Sequence, residues 1–307
     1  MAKPNWLKAW VLAARLRTLP LSLSGIIGGN ALAWQAGIFQ SHIFWGAVVT
    51  ASIFQILSNF ANDYGDGVKG TDNENRLGPA RALQSGLLTA QALKTAMWVL
   101  SLLGVLSSIF LIGAAFNPDQ YGLVLLFLGL AVLAVVAAIK YTVGQNAYGY
   151  RGLGDLFVFI FFGGVSVLGS YFLQVQQLSW DAVLFTVVFG TLSVGVLNLN
   201  NMRDFENDRQ SGKNTLVVQW GLSTAFKYQI SLLLIACACF TAVIIRSQPL
   251  SYAQLAYLLP LLILLRIPKR KPFPTPEKLD AQLKPLALTA FFSAVFYWIF
   301  LIIGHGS

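Results

Sequence analysis

The sequence predicts an all-α polytopic membrane protein. Three observations carry that prediction: the composition, the length of the apolar stretches and the placement of charge. The chain is 56% hydrophobic and 11% charged, with a mean hydropathy of +0.65, whereas about 25% of a soluble domain is charged. Nine stretches stay apolar over roughly the 20 residues that a bilayer requires: 18–38, 43–65, 90–115, 120–141, 152–174, 181–203, 223–245, 250–267 and 284–304. The net charge of +9 is a topology signal and does not point to nucleic acid. No Lys or Arg lies between the first and second stretches, the third and fourth, or the fifth and sixth, and only Arg246 lies between the seventh and eighth. The other basic residues fall at the N-terminus or around the alternate loops. By the positive-inside rule the N-terminus is then cytoplasmic and the C-terminus outside.

The elements follow in order within one domain, 1–307. Residues 1–17 precede the first span. There Trp6, Leu7, Trp10, Val11 and Ala14 recur at helical spacing, with Lys8 and Arg15 elsewhere on the wheel, as in a short helix lying in the membrane interface. Arg15 and Arg17 abut the first apolar stretch and no small-residue cleavage site follows it, so no cleavable signal peptide is read. An internal echo divides most of the remainder. Gly86-Leu-Leu-Thr89 opens the third span and Gly221-Leu-Ser-Thr224 the seventh, an offset of 135 residues, and Asp66 and Asp204 are 138 apart. Thr89 and Thr224 are positioned to cap the next helix. Four spans separate the copies, so both face the same side. The expected architecture is two pseudo-repeated four-helix halves, 18–141 and 142–267, with a ninth span at 284–304 and one site between the halves. Cys237 and Cys239 sit in the seventh stretch among apolar residues and read as packing residues. His42 and His305 fall at the opposite membrane face.

Two acidic clusters interrupt this hydrocarbon pattern and hold most of the chain's twelve acidic residues. The first is Asn59-Phe-Ala-Asn62-Asp63-Tyr-Gly-Asp66, followed by Asp72 and Glu74. The second is Asn200-Asn201-Met-Arg203-Asp204-Phe-Glu206-Asn207-Asp208. Ionisable groups at the end of a span are costly unless they face a polar cavity or a bound cation. On a helix, Asn59, Asn62, Asp63 and Asp66 fall within about a 100° arc, and Asn200, Asp204 and Asp208 within roughly 80°. A solvated helix terminus would account for either stripe alone. Two stripes in matching places, each trailed by basic residues, point to a site with hard oxygen ligands on both sides. Mg²⁺ suits such a site, because it takes a few carboxylates, substrate phosphate oxygens and water. The candidate metal ligands are Asn62, Asp63, Asp66, Asn200, Asp204 and Asp208, with Asp72 off the stripe.

The basic residues complete a site for a diphosphate. Lys69, Arg76 and Arg81 follow the first cluster, Arg203 and Lys213 belong to the second, and Lys140 begins the loop between spans four and five. Arg17, in Arg17-Thr-Leu-Pro20, and Arg81, in Gly78-Pro-Ala-Arg81, have the tightest local contexts. Carboxylate, metal, phosphate and Arg form a charge sandwich in which Arg gives bidentate contacts. Asn59 joins this substrate-facing set, as do Tyr141 and Tyr148 in the third cytoplasmic loop. Asp155, at the start of span five, either answers the helix dipole or serves as a polar contact or base for an acceptor hydroxyl.

Asn62-Asp63-x-x-Asp66 and Asn200-x-x-x-Asp204-x-x-x-Asp208, on spans two and six, resemble the UbiA superfamily of intramembrane prenyltransferases. The likeness runs from about residue 10 to 225. Asn62-Asp-Tyr-Gly-Asp-Gly-Val-Lys-Gly-Thr-Asp72, Gly78-Pro-x-Arg81, Tyr148-Gly-Tyr-Arg-Gly-Leu-Gly-Asp155, Phe161-Phe-Gly163 and Asn201-x-Arg203-Asp204 through Gly212-Lys213-x-Thr215-Leu216 are most similar to its branch that prenylates 1,4-dihydroxy-2-naphthoate. The chain departs from the wider pattern at Gly70, where many members carry an acid, and at Asn200, where others carry Asp. The resemblance implies transfer of a polyprenyl group from its diphosphate to an aromatic acid, with two Mg²⁺ ions, loss of CO₂ and a catalytic set of Asp63, Asp66, Asp204, Asp208 and Asp155. It implies a multi-pass enzyme of the cell membrane with its site on the cytoplasmic side and no obligate protein partner. Alternatives are 4-hydroxybenzoate as acceptor and, from another class, a secondary transporter. Gly149, Gly152 and Gly154 are expected to leave room for a bicyclic acceptor.

Overall fold

A computed structural model describes residues 6–72, 78, 80–246, 255, 258–264 and 274–305, and all regular structure within them is helical. Helix α1, Trp6–Ala14, buries Ala9, Ala13 and Ala14 and exposes Trp6, Leu7 and Val11. The chain breaks at Arg15, which takes the left-handed conformation (φ 48°, ψ 53°), passes through a 3₁₀ turn, Leu16–Thr18, and continues as α2, Leu19–Gln35, with Pro20 in the first turn. There follow α3, Ser41–Val68, α4, Ala90–Ala115, and α5, Tyr121–Lys140. Helix α6, Gly154–Val175, winds more widely in a π-type stretch over Phe159–Gly169. Then come α7, Trp180–Arg203, two short helices, α8, Phe205–Gln210, and α9, Leu216–Trp220, and then α10, Leu222–Arg246. The last two are α11, Leu258–Leu264, and α12, Pro276–His305.

Among the described residues eight helical stretches are long and apolar enough to cross a membrane, and the protein is a multi-pass membrane protein. Of the eighth predicted span, 250–267, the described part is the single residue 255 and the two-turn helix α11; the rest lies outside the described residues. Thr89 caps α4 as expected, accepting the N–H of Ala92. Thr224 does not cap, because α10 has already begun at Leu222. Side-chain caps in this half are Ser179, on α7, which accepts the N–H of Ala182, and Thr215, on α9, which accepts that of Val218.

Helix α3 has 28 residues, roughly 42 Å at 1.5 Å per residue, against a hydrocarbon thickness of about 30 Å. Its excess length carries Asn59 to Asp66 to the edge of the apolar zone. Helix α2 lies along the seam between the halves, packed on α3 on one side and on α6, α7 and α12 on the other. Its glycines permit this. A Cβ at Gly25 would stand 2.8 Å from the Phe162 carbonyl oxygen, one at Gly29 2.4 Å from that of Val167, and one at Gly28 2.5 Å from the Phe189 ring. Small residues four apart let two membrane helices approach to backbone contact. The second-half core centres on Phe185, Phe189, Phe240 and Tyr297, and the first-half core on Leu57, Phe60, Leu93 and Met97. Helices α5 and α6 scarcely touch along their length. They meet at the end remote from the carboxylates, where Phe127 stacks on Phe172 at 6.0 Å and Phe116 closes on Phe127 at 5.1 Å.

Gly29→Leu should drive α2 off α6. An overpacked contact of this kind costs about 1–3 kcal/mol or more, so the unfolding temperature in detergent should fall clearly. An unchanged transition would mean that the α2–α6 contact is looser than described.

Candidate active site

Helix α3 delivers the first cluster on one face. Asp63 is buried, and its carboxylate accepts the N–H groups of Ala82 (3.1 Å) and Leu83 (3.3 Å), so one of its functions is to hold the loop after α3 against the helix. Asn59 gives its amide N–H to the Ala14 carbonyl (2.8 Å) and to Thr18 Oγ1 (3.0 Å). It therefore satisfies a backbone group released by the break at Arg15, and this role was not legible in the sequence. Asn62 accepts a weak bond from Thr142 Oγ1 (3.4 Å) and lines the cavity described below. Asp72 lies beyond the helix, buried, 3.3 Å from Arg81 Nε. Arg81 is buried with it, so this pair closes on itself.

The second cluster is bent. The expected helical stripe of Asn200, Asp204 and Asp208 is broken at Asp204, where α7 ends and α8 begins with Phe205. Two i→i−4 bonds survive across the break, from the N–H of Asp204 to Asn200 O (3.1 Å) and from that of Asp208 to Asp204 O (2.8 Å), so the three residues stay in step. Arg203 does not point outward as a substrate contact. Its Nε and Nη2 donate to the two oxygens of Asp204, Nη2 also to Asn200 Oδ1 (2.8 Å), and Nη1 to Asp280 Oδ1 (2.6 Å).

The third loop ties the clusters together through Tyr150. Its hydroxyl donates to Asp66 Oδ1 (2.8 Å) and is 2.6 Å from Thr71 Oγ1. Lys69 Nζ stands 3.9 Å from the centre of the Tyr150 ring and Lys213 Nζ 5.4 Å, both in cation–π range. Lys213 also reaches Asp66 Oδ2 at 3.6 Å. Asn207 donates to the Thr71 carbonyl (3.0 Å), a direct link from α8 to the end of the first motif. Burial works against the Lys213 charge, but Asp66 and Asp208 outweigh it and hold the ammonium above the usual lysine range. Burial, and then Asp66, push the Tyr150 hydroxyl up as well, so it stays a donor. Tyr150, Thr71 and Asn207 were not singled out from sequence. The Tyr150 position inside Tyr148-Gly-Tyr-Arg151 was the available signal.

Directly behind Asn59 and Asn62 lies a cavity of about 330 Å³ between α2, α3, α4, α5 and α6. Gln55, Ser58, Asn59, Asn62 and Tyr141 line its polar end, and Leu111, Ile112, Phe127 and Leu173 its remote end. One wall is an aromatic ladder. Tyr141 meets Tyr148 edge-on at 5.3 Å, Tyr148 stacks on Phe157 at 4.0 Å, and Phe157 on Phe161 at 6.4 Å. Tyr148 is locked by donating to the Ala137 carbonyl (2.8 Å). Burial pushes the Tyr141 hydroxyl up to about 12. The loop glycines leave no slot for an acceptor, because Tyr141 fills the space beside Gly149 and Gly154, and Gly152 (φ +76°) makes a left-handed turn against Gln219. Asp155 is buried and hydrogen-bonded to the Tyr228 side chain. Arg17 and Lys140 are exposed, Arg17 on the 3₁₀ turn and Lys140 at the end of α5. Arg76 lies outside the described residues.

Asp63, Asp66, Asp72, Asp204 and Asp208 are all buried, and Arg81, Arg203, Lys213 and Lys69 are the cations beside them. Negative charge is in excess, which suits a bound cation. Among the described residues no three acidic side chains gather closely enough to enclose a metal by themselves. A divalent ion here would complete its shell with phosphate oxygens and water, as Mg²⁺ prefers. The donor set fits on those terms.

The UbiA prenyltransferase family matches residues 22–272. The chain belongs to this family. A 1,4-dihydroxy-2-naphthoate octaprenyltransferase of Escherichia coli (strain K12) is 45% identical over 234 residues, spanning 76% of this chain and 75% of that protein. One of Haemophilus influenzae is 43% identical over 240 residues, 77% of each. Among solved structures, a digeranylgeranylglyceryl phosphate synthase aligns with a TM-score of 0.63 at 17% identity, over 97% of this chain and 99% of that one. A UbiA homologue from Archaeoglobus fulgidus, bound to DMAPP and Mg²⁺, aligns with a TM-score of 0.61 at 13% identity, over 97% and 99%. At such identities the structures establish the UbiA fold alone.

Tyr150→Phe keeps the ring and removes the bond to Asp66. A hydrogen bond to a charged group is worth about 1.5–3 kcal/mol, or roughly ten- to a hundredfold in rate. Prenyl transfer should fall by that much in kcat/KM with little change in unfolding temperature. Activity within twofold of the parent would reduce Tyr150 to a packing residue of its loop.

Proposed function

We propose that the chain transfers a polyprenyl group from polyprenyl diphosphate to 1,4-dihydroxy-2-naphthoate, releasing diphosphate and CO₂ and giving demethylmenaquinone. The observation that carries this reading is the position of the cavity: a largely apolar chamber with an aromatic wall opens behind Asn59 and Asn62, on the turns of α3 that carry Asp63 and Asp66. The naphthoate acceptor rests on the Tyr148–Asp155 and Asn201–Asp204 motifs and on the named activity of the relatives at 45% and 43% identity.

Asp66, Asp204 and Asp208, with Asn62, Asn200 and Asp63 beside them, are the residues to hold divalent metal, taken here as two Mg²⁺ ions. When bound, the metal neutralises the leaving diphosphate and so lowers the cost of breaking the prenyl C1–O bond. Lys213 and Lys69, on the two sides of Tyr150, are positioned to meet diphosphate oxygens, and Tyr150 keeps Asp66 oriented. The Tyr141–Phe161 ladder faces the prenyl chain and can stabilise allylic positive charge by its ring faces. The apolar lining keeps water from that charge. The ring carbon of the acceptor that bears the carboxylate bonds to C1, and the bond to that carboxylate then breaks. The basic loops at this end of the bundle orient the site to the cytoplasm by the positive-inside rule.

Excess EDTA should abolish turnover and Mg²⁺ should restore it, and full turnover under chelation would sink the metal reading. Asp66→Asn should leave a folded, inserted protein without measurable prenyl transfer. Carboxyl-labelled dihydroxynaphthoate should release one label per prenyl group transferred, with 4-hydroxybenzoate a poor acceptor. A prenylated product that retains its carboxylate, or a preference for 4-hydroxybenzoate, would overturn the acceptor and leave prenyl transfer standing.

A further inference from the structure

Asp280 belongs to neither acidic motif. It lies in the first two turns of α12, the last helix, and among the described residues it meets the site through Arg203, whose Nη1 donates to Asp280 Oδ1 at 2.6 Å. Arg203 is buried, and its Nε and Nη2 also donate to both oxygens of Asp204 and to Asn200 Oδ1. Its guanidinium is thus held on three sides by protein oxygens in one plane. To meet a diphosphate it would have to give one of them up.

The arrangement has an electrostatic consequence. An Arg held by Asp204 alone would form a closed neutral pair and leave that carboxylate little reason to bind another cation. A second carboxylate on the far nitrogen shares the Arg charge and anchors it from behind. The trio then carries net negative charge, and Asp204 is the buried carboxylate of the two, at the α7–α8 junction that leads to Asp208. We propose that Asp280 is a positioning residue: acting through Arg203, it orients Asp204 and Asn200 and keeps the Asp204 carboxylate available to a divalent cation. The proposal rests on the metal–diphosphate reading above, and it makes the last helix part of the site.

A simple tether of α12 is the competing explanation. The Asp280 side chain is 45% exposed and its partner Arg203 is buried; a tether alone would lower thermal stability and leave metal binding unchanged, so the two ideas separate experimentally. Mn²⁺ binding to the detergent-solubilised full chain, followed by EPR without prenyl diphosphate, should weaken about tenfold in Asp280→Asn, the scale of losing an outer-shell partner of a metal ligand. Asp280→Glu should bind as the parent does, and raised Mg²⁺ should recover most of the rate lost in Asp280→Asn. Asp66→Asn serves as the control for the metal reading. If Asp66→Asn abolishes Mn²⁺ binding while Asp280→Asn binds as the parent, with or without a loss of thermal stability, the proposal falls and the metal reading stands. If the parent binds no Mn²⁺ even with inorganic diphosphate added to complete the ion's shell, both fall.

Discussion

Buried carboxylates at the edge of a hydrocarbon slab repel one another and lose their hydration, and the organisation of this end of the molecule follows from managing that cost. Six of them are buried among the described residues. Each is answered: Asp63 by two backbone N–H groups, Asp72 by Arg81, Asp155 by Tyr228, Asp204 by Arg203, Asp66 by Tyr150 and Lys213, and Asp208 by the charge of the same Lys213. These answers come from every part of the chain. Three loops and the last helix converge on the end of α3 and the bend after α7.

The same charge organises both halves into one site. Tyr150 belongs to the loop between α5 and α6, yet its hydroxyl is bound to Asp66 on α3, and Lys213, from beyond α8, shares that carboxylate. Asn207 then reaches back to Thr71. A site assembled from loops of both halves can gather phosphate and cation while the helices below remain a rigid apolar frame. The hydrocarbon-like chamber behind the charged groups has no charged side chain in its lining; its polar groups are hydroxyls and amides among rings and aliphatic side chains.

That chamber exists because packing is uneven. Gly25, Gly28 and Gly29 let α2 sink against α6 and α7, so the second half closes tightly. On the other side α5 and α6 stand apart until Phe127 meets Phe172. The gap between a close helix contact and a loose one is the cavity, and the wide winding of α6 over Phe159–Gly169 turns the rings of Phe161 and Phe162 toward it.

The one-dimensional pattern determined the membrane spans, the two acidic motifs and the family, because hydropathy over some 20 residues and ligand spacing on a helix are local properties. Asp66 and Lys213 were legible as charged residues in matching places, as was the all-helical fold. The division into halves was less so: α2 precedes the first motif, but its glycine face packs on α6 and α7 of the second half. Tertiary structure alone decided which polar groups serve the protein and which face the cavity. Asn59 had the spacing of a ligand but closes the break at Arg15, and Arg203 had the charge of a phosphate contact but is taken up by Asn200, Asp204 and Asp280. Tyr150, Thr71 and Asn207 carry no charge and lie inside the motifs without a role that spacing assigns, yet they connect the two motifs. Sequence spacing reports which side chains share a helix face. The partner that a polar atom finds across the bundle is set by the burial cost of leaving it unpaired, and that cost is fixed only when the helices have packed.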